Sequence, residues 1–182
     1  MEKIKKTIYL TLILVLIEQL AKIIVNIFFN NISFRLLNGR IGFDVYLNKD
    51  YMSIFNHDYN LKLSIGTLIF IGILTLLFLF TYYMYILKNN ALNSQIRFCL
   101  ILVIISGICS LIDKIFWGGS LDFIVFFGYI IDIKDIYLYV GVILGISLFI
   151  YEYVIMKRNL EQAEILSLKG YIKFLKNIFR MK

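Results

Sequence analysis

Four long apolar runs divide the chain, and more polar segments connect them. The runs cover residues 7–29, 64–87, 97–117 and 136–156. Each contains at least the roughly 20 residues with which an α-helix crosses about 30 Å of hydrocarbon at a rise of about 1.5 Å per residue. The pattern predicts an all-α polytopic membrane protein, in which residues 1–158 form one domain with four transmembrane helices.

The loop between the first two runs, residues 30–63, carries a turn signal. Asn38-Gly39 separates two short segments, 32–36 and 41–45, in which apolar residues occupy alternate positions. Asparagine and glycine both tolerate the positive φ angles of a type I′ turn, so this pair between alternating segments favours a β-hairpin. We therefore expect a small extracytoplasmic β-element between helices 1 and 2.

The C-terminal tail, residues 159–182, has the periodicity of a helix. Its apolar residues recur on one helix face, and lysines lie beside them. The apolar set is Ile165, Leu168, Ile172, Leu175 and Phe179. We expect a basic amphipathic helix that lies on an anionic cytoplasmic leaflet of membrane lipids, and a helix that binds a partner is the alternative.

Composition and charge support the assignment to the membrane. The 182 residues are 60% hydrophobic and 17% charged, whereas a soluble domain is about 45–50% apolar and about 25% charged. Basic residues concentrate before the first run and after the fourth, which predicts that both termini are cytoplasmic. The net charge of +7 belongs to the flanks of the spans, so we expect no nucleic-acid partner.

Several ionisable residues fall inside the predicted spans, where each costs roughly 2.5–3.5 kcal/mol on insertion scales. Glu18 and Lys22 lie in the outer half of the first span, four residues apart, a spacing that suits an ion pair on one helix face. Asp113 lies at the corresponding level of the third span, and Asp135 lies at the outer mouth of the fourth. One explanation is structural: Glu18, Lys22, Asp113 and Lys114 form ion pairs that fix the helix register.

The four aspartates between residues 113 and 135 favour a chemical explanation. Only Lys114 and Lys134 lie near them in the sequence, too few to neutralise all four. Crowded carboxylates at a partly dry boundary raise one another's pKa, and a pair can share one proton. In an aspartic peptidase one member of such a pair takes a proton from water while the other polarises the scissile carbonyl. The four are Asp113, Asp122, Asp132 and Asp135.

The motifs around these residues resemble those of the signal peptidase II family, the lipoprotein signal peptidases. Where the family has Asp-Gln-x-x-Lys in its first helix, residues 18–22 read Glu-Gln-Leu-Ala-Lys. Where it has Gly-Asn-Leu-Ile-Asp-Arg and then Val-Val-Asp-Phe, residues 109–114 read Cys-Ser-Leu-Ile-Asp-Lys and residues 120–123 read Ser-Leu-Asp-Phe. Where its fourth helix opens with Phe-Asn-x-Ala-Asp, residues 131–135 read Ile-Asp-Ile-Lys-Asp.

This resemblance implies an aspartic endopeptidase of the bacterial plasma membrane with its site near the external face. Its substrates would be prolipoproteins, cut just before a lipid-modified cysteine. The catalytic pair would be Asp122 and Asp135, and Asn48 would contact the substrate or hold the backbone around it. The resemblance implies no metal and no organic cofactor, and we expect a monomer. The remaining supporting positions would be Asp113, Lys114, Ser110, Asp132, Glu18 and Lys22.

Substitutions within these motifs leave an alternative open. Ser110 and Asp132 replace asparagines of the family pattern, and Lys114 replaces its arginine. A lysine lacks the bidentate fork with which arginine binds a carboxylate. The alternative function is a catalytically inactive homologue or a small four-helix transporter with an acidic cation or proton site.

The other reactive side chains have structural explanations. His57, the only histidine, has no partner at metal or triad spacing, so we expect a solvated loop residue. Cys99 and Cys109 both lie in the third span, where we expect small core residues. Gly141 and Gly145 form a G-x-x-x-G sequence in the fourth span, which predicts close helix packing.

Overall fold

The computed structural model describes residues 2–49, 59–89, 92–152 and 168–180. His57, the expected loop residue, lies outside the described residues. The predicted boundary between a domain 1–158 and a tail 159–182 lies outside them as well, so this division stays a prediction.

Five helices make up most of the described chain. Four of them, α1 to α4, are long and apolar enough to cross a membrane, which confirms the four predicted spans as helices. A short π-helical segment, Asp113–Trp117, continues α3. The helices are α1 Glu2–Phe28, α2 Ile65–Asn89, α3 Ser94–Ile112, α4 Ile133–Ile150 and α5 Leu168–Arg180.

Helix α4 begins at Ile133, three residues earlier than the predicted span, because an aspartate caps it. The Asp132 side chain accepts a hydrogen bond from the Asp135 backbone N–H, and the Asp135 side chain accepts one from the Asp132 backbone N–H. This reciprocal arrangement is a capping box, which satisfies N–H groups that a helix start leaves without intrahelical partners. Asp135 therefore lies within the first turn of α4.

The predicted hairpin is confirmed, with a longer turn than the Asn-Gly pair alone suggests. Strands β1, Ser33–Leu36, and β2, Ile41–Asn48, pair antiparallel, with Leu36 opposite Ile41. The connecting residues 37–40 contain three successive positive φ angles. Glycine adopts such an angle at little cost, and Asn38 tolerates it. The three angles are 51° at Leu37, 57° at Asn38 and 84° at Gly39.

The sequence predicts β-structure only in the loop between helices 1 and 2, and the structure extends it beyond that loop. Two further strands, β3 Ser120–Phe126 and β4 Tyr129–Ile131, lie between α3 and α4 and complete a four-stranded antiparallel sheet in the order β1-β2-β3-β4. The first four residues of β3 are all buried, and their side chains lie on both faces of the strand. A strand buried on both faces lacks the alternation of apolar and polar residues by which strands are recognised.

Helix α3 lies at the centre of the bundle and packs closely against α4. A Cβ atom at Gly141 would lie 2.8 Å from the backbone oxygen of Cys99, and one at Gly145 would lie 3.2 Å from the Cys99 Cβ. The two glycines therefore allow the close approach that their spacing predicts. Cys99 and Cys109 are buried and free, as expected of core residues.

Helix α5 confirms the helical periodicity of residues 168–180 and packs against the C-terminal half of α2. Tyr171 is buried, and its hydroxyl shares a hydrogen bond of 2.6 Å with the Thr81 hydroxyl. The Phe174 ring packs on the Tyr85 ring at a centroid separation of 5.1 Å. Contact of α5 with anionic lipid stays a prediction. Its exposed cations are Lys169, Lys173 and Lys176.

A buried lysine ties three of the transmembrane helices together. Lys22 of α1 is fully buried, and its Nζ lies 2.5 Å from the Glu18 carboxylate and 2.7 Å from the Asp132 carboxylate. The same ammonium forms an ion pair and hydrogen bond with Asp113 at the end of α3. The expected register-fixing ion pairs are thus confirmed for Glu18, Lys22 and Asp113. Lys114 instead donates a hydrogen bond to the Ser110 hydroxyl one turn earlier.

We expect Lys22→Met to lower the free energy of unfolding by about 3–5 kcal/mol, because removing one partner leaves buried charges uncompensated. The contrasting ion pair joins Arg35 and Asp44 at 3.0 Å, with 53% of the Arg35 side chain exposed. Arg35→Ala should cost at most about 1 kcal/mol, since solvent screens an exposed pair. Thermal unfolding of both variants in the same detergent measures the difference, and equal losses would contradict the structural role of Lys22.

Candidate active site

Acidic side chains from four elements converge at one end of the bundle. They come from α1, from the π-helical segment after α3, from β3 and from the start of α4. Four of the five are buried, and Asp135 is half-buried. The structure thus brings together all the acidic residues that the sequence singled out for this site. The five are Glu18, Asp113, Asp122, Asp132 and Asp135.

Asp122 and Asp135, the expected catalytic pair, approach each other within this cluster. One carboxylate oxygen from each of Asp122, Asp132 and Asp135 lies within 4.8 Å of the other two. At that separation two carboxyl groups can both reach a single water molecule, whose hydrogen bonds span about 2.5–3.0 Å each. The geometry therefore allows one water molecule to bind between Asp122 and Asp135.

Local structure holds each member of the pair. Asp122 lies in β3 opposite Tyr46 of β2, and the β2–β3 register shifts between Phe43 and Tyr46. Such an irregularity re-aims side chains beside it and is common next to active sites. The Ser120 hydroxyl, two residues before Asp122 on the same face of β3, donates a 2.6 Å hydrogen bond to the Asp122 carboxylate. Asp135 is held by its capping box with Asp132.

Lys134 is a residue of this cluster that the sequence analysis does not select. Its buried Nζ forms an ion pair with Asp132 and lies 3.1 Å from the Asp113 carboxylate and 3.8 Å from that of Asp122. It also donates a 2.6 Å hydrogen bond to the Ser120 hydroxyl. Lys134 lies in the first turn of α4, where the helix dipole disfavours a cation, but the apolar run begins only at residue 136 and therefore gives no such signal.

Burial and neighbouring charges shift the pKa values of Asp122 and Asp132, the two cluster aspartates outside the spanning helices, in opposite directions. Burial raises the pKa of Asp122 to about 7, and the charges of Asp132 and Asp135 add to this effect against Lys134 and the Ser120 hydrogen bond. Burial acts in the same direction on Asp132, but Lys134 and Lys22 outweigh it and lower the pKa of Asp132. Near neutral pH, therefore, Asp122 can hold a proton while Asp132 stays ionised.

The remaining supporting residues border the cluster. Asn48 ends β2, opposite Ser120 of β3. Gln19, which the sequence reasoning did not select, donates hydrogen bonds to the Glu18 and Asp113 carboxylates at 2.6 and 3.2 Å. The Trp117 indole N–H donates to the Gln19 side-chain oxygen at 3.3 Å.

Two sets of three carboxylates within the cluster have the spacing of metal ligands. One consists of Glu18, Asp113 and Asp132, and the other of Asp122, Asp132 and Asp135. The Lys22 ammonium contacts every member of the first group, and Lys134 contacts Asp132 and approaches Asp122 in the second. These ammonium groups supply positive charge to both sets of carboxylates. The expectation of no metal stays a prediction.

Two solved bacterial membrane enzymes have the same fold. One structure, obtained by the in meso method at 2.3 Å resolution, matches with a TM-score of 0.66 at 22% sequence identity, over 86% of this chain and 94% of that chain. The other, obtained by the same method at 1.9 Å, matches with a TM-score of 0.63 at 22% identity, over 80% of this chain and 93% of that chain. A search of curated protein sequences finds no match.

The sequence model of the peptidase family described as signal peptidase (SPase) II matches residues 10–151. The matched region contains α1 from residue 10 onwards, α2 to α4, the whole sheet and all five carboxyl side chains of the cluster. It leaves out α5. Because the match covers well over half of the 182 residues, the chain belongs to the signal peptidase II family.

Proposed function

We propose that the protein is an intramembrane aspartic endopeptidase that cleaves prolipoprotein signal peptides before a lipid-modified cysteine, with Asp122 and Asp135 as its catalytic pair. Family membership supports a peptidase of this kind. The observation that carries the assignment of the pair is the approach of the Asp122 and Asp135 carboxylate oxygens to within 4.8 Å. The expected location is the plasma membrane of a bacterium.

The proposed mechanism uses one proton and one water molecule. The ionised member of the pair takes a proton from the water, and the resulting hydroxide attacks the carbonyl carbon of the scissile peptide bond. The protonated member donates a hydrogen bond to the carbonyl oxygen and stabilises the tetrahedral intermediate. When the C–N bond breaks, a proton from the pair passes to the leaving amine. The raised pKa of Asp122, about 7, supplies the protonated member near neutral pH.

The surrounding residues would hold this pair rather than react. Lys22 and Asp113 would keep the ends of α1 and α3 beside the pair through their buried ion pair. Asp132 would place Asp135 through the capping box. Asn48 at the end of β2, opposite Ser120, is proposed to contact the substrate backbone.

Glu18, Ser110 and Lys114 would act through their neighbours. Glu18 pairs with Lys22 at 2.5 Å, and the Lys114 ammonium donates a hydrogen bond to the Ser110 hydroxyl at 2.7 Å. Each contact fixes a charged side chain at the border of the carboxylate cluster.

The alternatives are an inactive homologue and a transporter that passes cations or protons. For a transporter, the carboxylates would have to be available to the transported ion. Lys22 and Lys134 together form ion pairs with Glu18, Asp113 and Asp132. This neutralisation favours the peptidase over a cation path.

The catalytic pair is tested with Asp122→Asn and Asp135→Asn. Each variant should lower the processing rate of a lipid-modified model prolipoprotein by about 10²–10⁴-fold, the usual contribution of an acid–base group. Asp44→Asn is the matched control, because Asp44 lies outside the cluster and forms a partly exposed ion pair with Arg35. Undiminished processing by either dyad variant, with insertion confirmed, would remove the proposed function. Altered cation or proton flux alone would favour the transporter.

We further propose that the termini face the cytoplasm and the carboxylate cluster faces the exterior. A hydrogen bond of 2.9 Å joins Thr7 near the start of α1 to Tyr83 of α2, and α5 packs beside the same part of α2. Cations gather at this end, and the carboxylate cluster lies at the other end of α1 and α3. The positive-inside rule then gives the orientation. Among the described residues these cations include Lys5, Lys6, Lys88, Arg97, Lys169, Lys173 and Lys176.

Cysteine labelling measures this orientation. The native Cys99 and Cys109 are buried, so they should react slowly with a membrane-impermeant maleimide. In cells whose plasma membrane is intact and accessible, Asn38→Cys in the hairpin turn should be labelled, and Lys173→Cys on α5 should be labelled only after lysis. Labelling of Lys173→Cys before lysis would reverse the proposed orientation.

A further inference from the structure

The first turn of α4 buries a lysine at a position where the helix itself disfavours a cation. Lys134 is the second residue of α4 and only 5% exposed. The positive end of the helix dipole repels its ammonium, and burial removes its hydration. Its place therefore depends on the carboxylates around it.

Those carboxylates connect Lys134 to the proposed catalytic pair. Its ammonium donates to the Ser120 hydroxyl at 2.6 Å, and that hydroxyl donates to Asp122 at 2.6 Å. The ammonium also lies 3.8 Å from the Asp122 carboxylate directly. Through the ion pair with Asp132 it contacts the residue that caps α4 and holds Asp135. Lys134 thus reaches Asp122 both directly and through Ser120, and it reaches Asp135 through Asp132.

We propose that Lys134 is a positioning residue for the catalytic pair: its charge sets the pH range over which Asp122 and Asp135 together hold one proton, and its hydrogen bond through Ser120 orients Asp122. This inference rests on the proposed function. It adds Lys134, which stands where the Phe-Asn-x-Ala-Asp motif of the family has alanine.

The charged groups that face the pair give the direction of the effect. Within the described residues the cluster contains five carboxyl groups and three lysines, so loss of one cation leaves it more negative. Additional negative charge raises the pKa of every carboxyl group nearby, and both limbs of a bell-shaped pH profile then move to higher pH. The groups are Glu18 and Lys22 on α1, Asp113 and Lys114 after α3, Asp122 on β3, and Asp132, Lys134 and Asp135 at α4.

A serine–lysine nucleophilic pair is a different use of the same contact, and the geometry opposes it. A lysine acts as a base only when it is neutral, whereas the Lys134 ammonium lies within 4 Å of three carboxylates that stabilise its charge. The Ser120 hydroxyl is 4% exposed and donates its proton to Asp122. Ser120 is therefore better placed to orient Asp122 than to attack a substrate.

The test is the pH dependence of kcat/KM, which reports ionisations of the free enzyme, for processing of a lipid-modified model prolipoprotein by the purified full-length protein. The alkaline limb of the wild type should lie near the pKa of Asp122, about 7. Lys134→Gln keeps a hydrogen-bonding side chain without the charge, and it should move this limb up by about one pH unit or more. Lys134→Arg keeps the charge and should leave the limb within a few tenths of a unit. Lys173→Ala, an exposed lysine at the far end of the bundle, is the matched control.

A second comparison keeps the test decisive if Lys134→Gln does not fold. Asp132→Asn retains a good helix cap but removes one negative charge, so it should move the limb to lower pH. The double variant Asp132→Asn/Lys134→Gln removes one charge of each sign, and its limb should return towards that of the wild type.

Two outcomes separate this inference from the proposed function. The inference is wrong if Lys134→Gln leaves the alkaline limb unmoved and the double variant has the same limb as Asp132→Asn, while Asp122→Asn is inactive. Lys134 would then have no electrostatic role. If Asp122→Asn and Asp135→Asn process the substrate normally, the proposed function itself is wrong.

Discussion

The contact on which the structure most depends is the buried ammonium of Lys22, held between Glu18, Asp113 and Asp132. Within a membrane, apolar side chains provide little drive for helices to associate, because lipid tails are equally apolar. A buried cation and carboxylates on different helices associate far more specifically, because each is costly to leave unpaired. Lys22 thereby fixes the rotation and depth of α1 relative to α3 and α4.

The same set of contacts leaves the candidate site with more acids than bases. Lys22 and Lys134 neutralise part of the negative charge, and burial then favours a proton on Asp122, whose pKa is raised to about 7. Asp132, which contacts both lysines, has a lowered pKa and stays ionised. A proton held close to neutral pH beside a second carboxyl group, Asp135, is the condition that acid–base hydrolysis requires. Helix packing and the proposed chemistry therefore use one charge network.

Local features of this chain could be predicted from the sequence, and contacts between distant segments could not. Asn38-Gly39 specifies a turn through its own φ preferences, and the length of the four apolar runs predicts transmembrane helices. Strand β3 escaped prediction because it is buried on both faces and lacks alternation. The early start of α4 depends on the capping box between Asp132 and Asp135, which simple apolar periodicity does not show.

In the candidate site, too, the sequence predicts local features but not contacts between distant segments. Motif similarity selects Asp122 and Asp135, whereas the sequence shows Lys134 only as a cation near the aspartates. Its importance comes from tertiary contacts with Asp113 and Ser120, which are distant from it in sequence. The spacing of four residues likewise predicts the ion pair of Lys22 with Glu18 on the same helix. The contact of Lys22 with Asp132, which caps α4, follows only from the folded arrangement.

The most direct test of the central claim is a crystal structure of the protein grown from a lipid phase. The account predicts that the Lys22 ammonium bridges α1, α3 and the α4 cap, and that the nearest carboxylate oxygens of Asp122 and Asp135 lie within about 5 Å. A structure in which Lys22 points into lipid, or in which these two carboxyl groups are too far apart to bind one water molecule, would contradict it.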